Sequence, residues 1–459
     1  MTENYRVGVL GLGREGIDTL RFLRAAGIES VGLDSKPATE WPAGALRQLK
    51  QLAAELRLGR NYLAGIGELD IVFRSPGVPL DLPEIKKARR RGVVFSSLMQ
   101  IFFELCPAQI IGVTGTKGKS TTVSLIHHLL KGRLPGKIYL GGNIGAPPLK
   151  LLSRLTKRDW VVLELSSFQL EDLAVSPTIA VMLDVSPEHL DRHKQSQRYL
   201  AAKTNIFAHQ RKSDWLVASA DHPVTRAALR KARGRTFTYS TGKVLSKGLY
   251  LVDGEVIYRH LKTGRRSVLL RKEQIPLLGH HNLENALAAI ATALVAGMKP
   301  QMISKRISRF KPLKHRLELV GNLGRVQFVD DSLATTPIAA IAAIKTILDQ
   351  LSVIIGGVSK RENLKELIKA LDDNRILGIV LIGKSTPRLR RELKAAKIRT
   401  PYQSAKNLSA AVAKAYRYVK NEGTVLLAPA FASFDMFKDA YDRGDKFKQI
   451  VKELIKQKS

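Results

Sequence analysis

The stretch Ile110-Ile111-Gly112-Val113-Thr114-Gly115-Thr116-Lys117-Gly118-Lys119-Ser120-Thr121-Thr122 constrains this chain more than any other. An apolar, β-branched run enters a glycine-rich turn, and Lys-Ser then opens an amphipathic helix predicted over Thr121 to Lys131. Glycines at such a junction let backbone N–H groups curl around a phosphate, and the helix start adds its positive dipole end. Lys119 suits the terminal phosphates and Ser120 suits Mg²⁺. The general phosphate-loop spacing asks for glycine where Val113 stands. A Lys-Ser pair at a strand-to-helix junction nevertheless has little to offer packing. A full domain's length of chain precedes this element, leaving room for a separate task.

With 459 residues, the chain is too long for one core. Three α/β units are expected, over residues 1–106, 107–311 and 312–459. The first opens with a strand from Arg6 to Leu10, the turn Gly11-Leu12-Gly13-Arg14-Glu15-Gly16, and a helix to Ala26. A second strand, Ser30 to Leu33, ends in Asp34, and Asp70 to Phe73 forms another before Ser75-Pro76-Gly77. A Gly-x-Gly-x-x-Gly turn with an acid about 20 residues on is a dinucleotide fingerprint. The same geometry cradles any pyrophosphate, including that of a UDP-sugar.

The second unit carries the phosphate loop, strands over Trp160 to Leu163 and Thr178 to Leu183, and an alanine-rich helix from Asn282 to Ala296. It also carries a hairpin from Gly248 to Tyr258 turning at Asp253-Gly254. The third alternates strands (Arg325 to Val329, Ser352 to Ile355, Ile376 to Ile382, Thr424 to Leu427) with helical segments, a further Rossmann-like layer. Hinges are predicted near Ser97 to Ala108 and Arg309 to His315.

Lysine and arginine number 75 against 40 acids, a net charge of +35. The basic runs at Lys86 to Arg91, Arg226 to Arg235 and Arg265 to Lys272 are dispersed and lack interleaved aromatics for base stacking. They read as solvated faces, so no nucleic-acid partner is expected. Cys106 is the only cysteine, which excludes an intrachain disulfide and a Cys-cluster metal site. No apolar run approaches the length of about 18 residues that a membrane span needs, and the start lacks a signal peptide's apolar region. A soluble cytoplasmic protein without membrane insertion is expected.

Functional side chains of a parallel sheet gather at the carboxyl ends of its strands. Trp160 to Leu163 ends in Glu164-Leu165-Ser166-Ser167-Phe168-Gln169-Leu170-Glu171, which places Glu164 to hold Mg²⁺. The next strand leads into Asp184 and on to Glu188-His189-Leu190-Asp191-Arg192-His193, where His189 is a metal or anion contact or a structural histidine. On its own, Lys203 is an ordinary helix lysine, and Asn143 in Gly142-Asn143-Ile144-Gly145 is an ordinary turn residue.

Taken in order, these motifs resemble the Mur ligase superfamily over essentially the whole chain. The resemblance continues through His281-Asn282-Leu283-Glu284-Asn285, His315-Arg316, Asp331-Ser332 and Ala430-Phe431-Ala432-Ser433-Phe434-Asp435. The run Leu163 to Leu170 points to the branch that adds D-glutamate. The resemblance implies an α/β fold of three domains: N-terminal Rossmann-like, central P-loop ATPase-like, and C-terminal Rossmann-like. It implies an ATP-dependent ligase that adds D-glutamate to UDP-N-acetylmuramoyl-L-alanine through an acyl phosphate, in cytoplasmic peptidoglycan precursor synthesis; a monomer is expected.

Position by position, the resemblance assigns ATP to Gly115, Thr116, Lys117, Gly118, Lys119, Ser120, Thr121, Asn282, Arg316 and Asp331. The UDP substrate falls to Arg14, Glu15, Asp34, Ser35, Lys36, Ser75, Pro76, Gly77 and Asn143, and D-glutamate to His315, Ser433 and Phe434. Lys119, Glu164, His189 and Lys203 are implied to be catalytic. Two Mg²⁺ sites are implied, one on Ser120 and Glu164, the other on His189 and Lys203, with Lys203 carbamylated so that it can ligate. The pattern departs from the family at Leu333, Arg361 and Ala440, which keeps a ligase of the same plan with another amino-acid acceptor in view.

Overall fold

Runs of β-branched and aliphatic residues bounded by glycine form parallel strands buried on both faces. The computed structural model describes residues 5–185, 193–359 and 362–458, with the side chains of 193–196 outside the description. The chain divides into two compact units, residues 1–275 with 281–310, and residues 276–280 with 311–459.

The first unit holds two sheets. In the N-terminal one, β1 (Val7–Leu10), β2 (Ser30–Asp34), β3 (Glu55–Leu58), β4 (Ile71–Arg74) and β5 (Val94–Ser96) lie in the order β3-β2-β1-β4-β5, all parallel. The chain reverses its winding between β1 and β4, and their register sets Leu10 level with Arg74. That brings the turn after β1 beside the turn after β4, the crevice where a doubly wound sheet binds its ligand.

The second sheet comprises β6 (Gln109–Thr114), β7 (Ile138–Gly142), β8 (Trp160–Glu164), β9 (Ile179–Met182), β10 (Trp215–Ser219), β11 (Arg235–Ser240), β12 (Gly248–Val252), β13 (Glu255–Arg259) and β14 (Arg266–Arg271). Its order is β14-β13-β12-β11-β10-β9-β6-β8-β7. The strand β6 is flanked by β8 and β9, with Val113 opposite Glu164 and Thr114 opposite Met182. The expected hairpin is β12–β13, and Asp253 and Gly254 both have positive φ (50° and 76°), as its two-residue turn requires.

The second unit carries β15 (Glu318–Leu323), β16 (Arg325–Asp330), β17 (Leu351–Gly356), β18 (Ile376–Ile382), β19 (Tyr402–Ser404) and β20 (Glu422–Leu427) in the order β15-β16-β20-β17-β18-β19. Only β15–β16 is antiparallel among these pairs. Its two faces bury separate apolar cores, one around Ile355 and Leu381, the other around Phe328 and Phe447.

The segment expected to hinge at Ser97 to Ala108 is instead helical over Leu98–Leu105, capped by the Ser97 hydroxyl accepting from the Gln100 N–H at 3.2 Å. Leu98, Met99, Ile101 and Phe102 are buried in the core that also contains Leu163 and Met182. The basic runs are amphipathic: Ile85 and Ala88 turn inward on the helix Pro83–Arg90, and Thr225 and Ala228 on Pro223–Lys231. The third run is the edge strand β14, whose arginines face solvent and blunt an otherwise open edge. No helix among the described residues is long and apolar enough to cross a membrane.

Candidate functional site

The carboxyl ends of β6, β8 and β9 converge on the phosphate loop. The helix Lys119–Leu130 starts directly after Gly118, whose φ of +81° suits glycine. A Cβ at Gly118 would lie 2.1 Å from Oδ1 of Asn285, on the helix His280–Val295, so that helix walls the loop. The Thr116 N–H donates to the Asp184 carbonyl at 2.9 Å, tying the loop to the chain leaving β9. The Lys119 amine donates to the carbonyls of Gly115 (3.0 Å) and Thr116 (3.1 Å). Lys117 is exposed, Ser120 half-buried and Thr121 buried in the first turn.

Lys203, on the helix His193–Ala208, is 1% exposed. Its amine donates to the Gly115 carbonyl at 2.8 Å and lies 4.5 Å above the Tyr199 ring. Burial, and then the Lys119 charge, brings its pKa down to about 7. Two lysines thus share one carbonyl, and one of them loses its charge readily. Glu164 ends β8 almost fully buried, and its Oε2 has no hydrogen-bond partner among the described residues. A buried, unpartnered carboxylate oxygen next to a phosphate loop is what a hard divalent cation relieves. Asn143 is exposed, with its N–H donating to the Glu164 carbonyl at 3.1 Å. Asn282 is buried, and its Oδ1 accepts from the Asn285 amide at 3.2 Å. His189 lies outside the described residues.

Sequence reasoning missed His222, at the start of the helix Pro223–Lys231. Its Nε2 lies 3.2 Å from the Glu284 carboxylate and its Nδ1 3.6 Å from Asp184, so it links the β9 exit to the helix that walls the loop. The hydrogen bond to Glu284 raises its pKa. No local sequence signal marks this histidine.

In the N-terminal sheet, a Cβ at Gly16 would fall 1.9 Å from the Gly11 carbonyl oxygen, so the third glycine of the turn is a close-approach position. The Ser75 hydroxyl donates to that same carbonyl at 2.6 Å. Asp34 accepts from the N–H groups of Leu12 (2.6 Å) and Lys36 (2.8 Å), so its carboxylate is spent on holding the turn. Arg14, Ser35 and Gly77 are exposed beside it, with Pro76 half-buried. The Lys36 ammonium sits 4.9 Å from the Trp41 ring centroid. Burial raises the pKa of Glu15, whose Oε1 accepts from the Gln169 amide at 2.7 Å. Gln169 also closes a capping box with Ser166, which shapes the turn immediately after Glu164.

In the second unit, the Asp331 carboxyl accepts from the Leu317 N–H at 3.1 Å, and burial pushes its pKa up to about 7. Arg316 is exposed, Ser433 is buried and Phe434 is 70% exposed. His315 departs from expectation. Its ring is 1% exposed, with Nδ1 at 2.7 Å from Asp330 and Nε2 at 3.5 Å from Asp445. A Cβ at Gly444 would strike it at 2.1 Å. The ring is thus enclosed within this unit by Asp330, Gly444 and Asp445. The Ala440 carbonyl accepts from the Ser332 hydroxyl at 2.7 Å, and Arg361 lies outside the described residues. A cleft of about 490 Å³ between the β17 and β18 exits, lined by Ser359, Lys384, Arg388 and Arg391 among others, had no sequence signal.

Three family models match the chain in succession: the Mur ligase MurD-like N-terminal domain over residues 5–96, the Mur ligase middle domain over 113–293, and the Mur ligase glutamate ligase domain over 315–431. The chain is 37% identical to a UDP-N-acetylmuramoylalanine–D-glutamate ligase of Acetivibrio thermocellus, covering 98% of this chain and 97% of that protein. It is 36% identical to a ligase of the same name from Symbiobacterium thermophilum, covering 98% of each. Among solved structures, the MurF ligase of Thermotoga maritima in complex with ADP superposes with a TM-score of 0.57 at 16% identity, covering 99% of this chain and 95% of that one. The UDP-N-acetylmuramate-alanine ligase of the same organism gives 0.57 at 19%, covering 98% and 100%. At such identities the structural likeness speaks for the three-domain α/β fold.

Proposed function

Because the chain belongs to the Mur ligase family, we propose that it joins D-glutamate to the alanyl carboxylate of UDP-N-acetylmuramoyl-L-alanine, converting ATP to ADP and phosphate. The acceptor in this reading rests on the relatives named above, and the ATP chemistry is carried by the cluster at the ends of β6 and β8. Lys119 and Lys203 meet on the Gly115 carbonyl, and Glu164 keeps an oxygen unpartnered among the described residues.

The alanyl carboxylate attacks the γ-phosphorus of ATP, the bond to the β–γ bridging oxygen breaks, and ADP leaves. The D-glutamate amine then adds to the acyl carbon of the resulting acyl phosphate, loses a proton, and expels phosphate. Loop N–H groups and the Lys119 ammonium meet the charge that builds on the phosphoryl oxygens. Ser120 and the buried Glu164 fit a magnesium ion and would hold it, the family pattern would place a second on His189 and Lys203, and each would supply charge neutralisation there. As an ammonium Lys203 cannot ligate. As a neutral amine it adds to CO₂ with release of one proton, becoming a carbamate, a carboxylate on a long stem.

The remaining assignments follow the family pattern. Asn282, Arg316 and Asp331 serve ATP; Arg14, Glu15, Ser35, Lys36, Ser75, Pro76, Gly77 and Asn143 serve the UDP part; Ser433 and Phe434 serve D-glutamate. Asp34 supports that site by holding the glycine turn. The expected compartment is the cytoplasm. Oxygen-18 in the substrate's alanyl carboxylate tests the route. One labelled oxygen should appear in each released phosphate, and unlabelled phosphate would refute an acyl-phosphate path.

A further inference from the structure

We propose that Arg74 is a positioning residue, which locks the Ser75-Pro76-Gly77 loop to the segment that follows Glu164 and thereby fixes where the UDP-linked substrate presents its carboxylate. The inference rests on the reading above and concerns a residue that no motif marks.

Arg74 is the last residue of β4, and its side chain is 1% exposed. Its guanidinium points two ways at once. Towards the loop, Nη1 donates to the carbonyls of Val78 (2.6 Å) and Pro76 (3.4 Å). Towards the other sheet, Nε and Nη2 both donate to Oδ2 of Asp172, at 3.0 and 2.9 Å, and Nη2 also reaches the Phe168 carbonyl at 3.5 Å. Glu171 adds a second carboxylate at 3.6 Å.

Phe168 and Asp172 belong to the short stretch that leaves β8 just after Glu164. A second bridge from the same stretch ends on the other turn of the N-terminal site, where the Gln169 amide donates to Glu15. Both turns assigned to the UDP part are therefore tied to the segment that carries the proposed metal ligand.

Packing alone does not call for this arrangement. Position 74 alternates inward with Val72 on β4, where an aliphatic side chain would bury without a charge. Replacing a buried ion pair with apolar residues is often neutral or stabilising, so such a pair is weak support for stability. What a forked guanidinium provides that an aliphatic residue or a lysine does not is several directed hydrogen bonds in a fixed plane. Here those bonds define the spacing between two turns and a strand exit.

The test is steady-state kinetics on Arg74→Lys, Asp172→Asn and the double variant, well below each variant's melting temperature. Lysine keeps the charge but cannot serve both directions, and asparagine keeps the shape of Asp172. Each single change should raise KM for UDP-N-acetylmuramoyl-L-alanine about tenfold while KM for ATP stays within about twofold. The double variant should match the larger single effect, because the two residues form one link. Parallel rises in both KM values, no change in either, or multiplied effects in the double variant would overturn the inference. Should Arg74→Lys fail to fold, Asp172→Asn carries the same test alone. Wild type runs beside the variants: if it does not turn over the UDP substrate with D-glutamate, the functional reading fails and the inference with it. An active wild type with unsplit variants removes only the inference.

Discussion

Lys203 offers the most demanding prediction, because its burial fixes both a magnitude and a direction. Its pKa falls from 10.5 to about 7, chiefly through burial and secondarily through Lys119. That fall corresponds to about 5 kcal/mol of bias against the ammonium. At pH 7 roughly half of the amine is neutral, against about one part in 3,000 for an exposed lysine. At pH 6 the neutral share drops to about one tenth, so carbamate formation should slow about fivefold over that unit. Between pH 7 and 10.5 the unfolded chain holds a proton that the folded chain has lost. The stability penalty of this residue is therefore full below pH 7 and fades as pH rises towards 10.5. In CO₂-free buffer, where Lys203 is a free amine, Lys203→Met should remove that slope in thermal unfolding, and it should abolish turnover. Lys203→Ala should regain part of its activity with short-chain carboxylates, and CO₂-stripped wild type should recover on adding bicarbonate. Wild type that takes up no ¹³C from labelled bicarbonate, together with an alanine variant that no carboxylate rescues, would refute the carbamate.

The remaining predictions address the same pocket. Lys119→Ala should cut kcat by about a thousandfold or more with little change in melting temperature, and near-normal turnover would contradict its role. Glu164→Gln keeps shape and loses charge, so the Mg²⁺ concentration for half-maximal rate should rise at least about tenfold; an unchanged Mg²⁺ dependence would remove it from the metal site. Gly118→Ala combines a positive φ with a 2.1 Å clash against Asn285, and should weaken ATP binding in calorimetry by about tenfold or more. His222 has a raised pKa, so its pairing stabilises fully below about pH 6.5 and is lost as pH rises through the folded value. The stability gap between wild type and His222→Asn should therefore be wider at pH 6 than at pH 8.5, as read by denaturant unfolding.

Much of the site was legible because its elements are local. Buried parallel strands read as apolar runs, so β6, β8 and β18 stand out, as do the turns after β6 and β8, and Asp253-Gly254 announces its hairpin. The edge strands β14 and β15 were missed because solvent-facing charges and polar residues interrupt the apolar pattern. The helix Leu98–Leu105 passed for a hinge because its burial depends on a core assembled from distant segments. The enclosure of His315 was not legible, because the groups around it, Asp330, Gly444 and Asp445, come from a later strand and the terminal helix. Arg74 and Asp172 lie 98 residues apart, and Glu15 and Gln169 lie 154 apart, separations over which one sequence carries no pairing signal.

ADP release from the purified protein decides the acceptor, measured with ATP, Mg²⁺ and UDP-N-acetylmuramoyl-L-alanine and offered D-glutamate beside L-glutamate, D-aspartate and L-lysine. Release is expected with D-glutamate alone, dependent on the UDP substrate. Release with another acceptor, or with none, would contradict it.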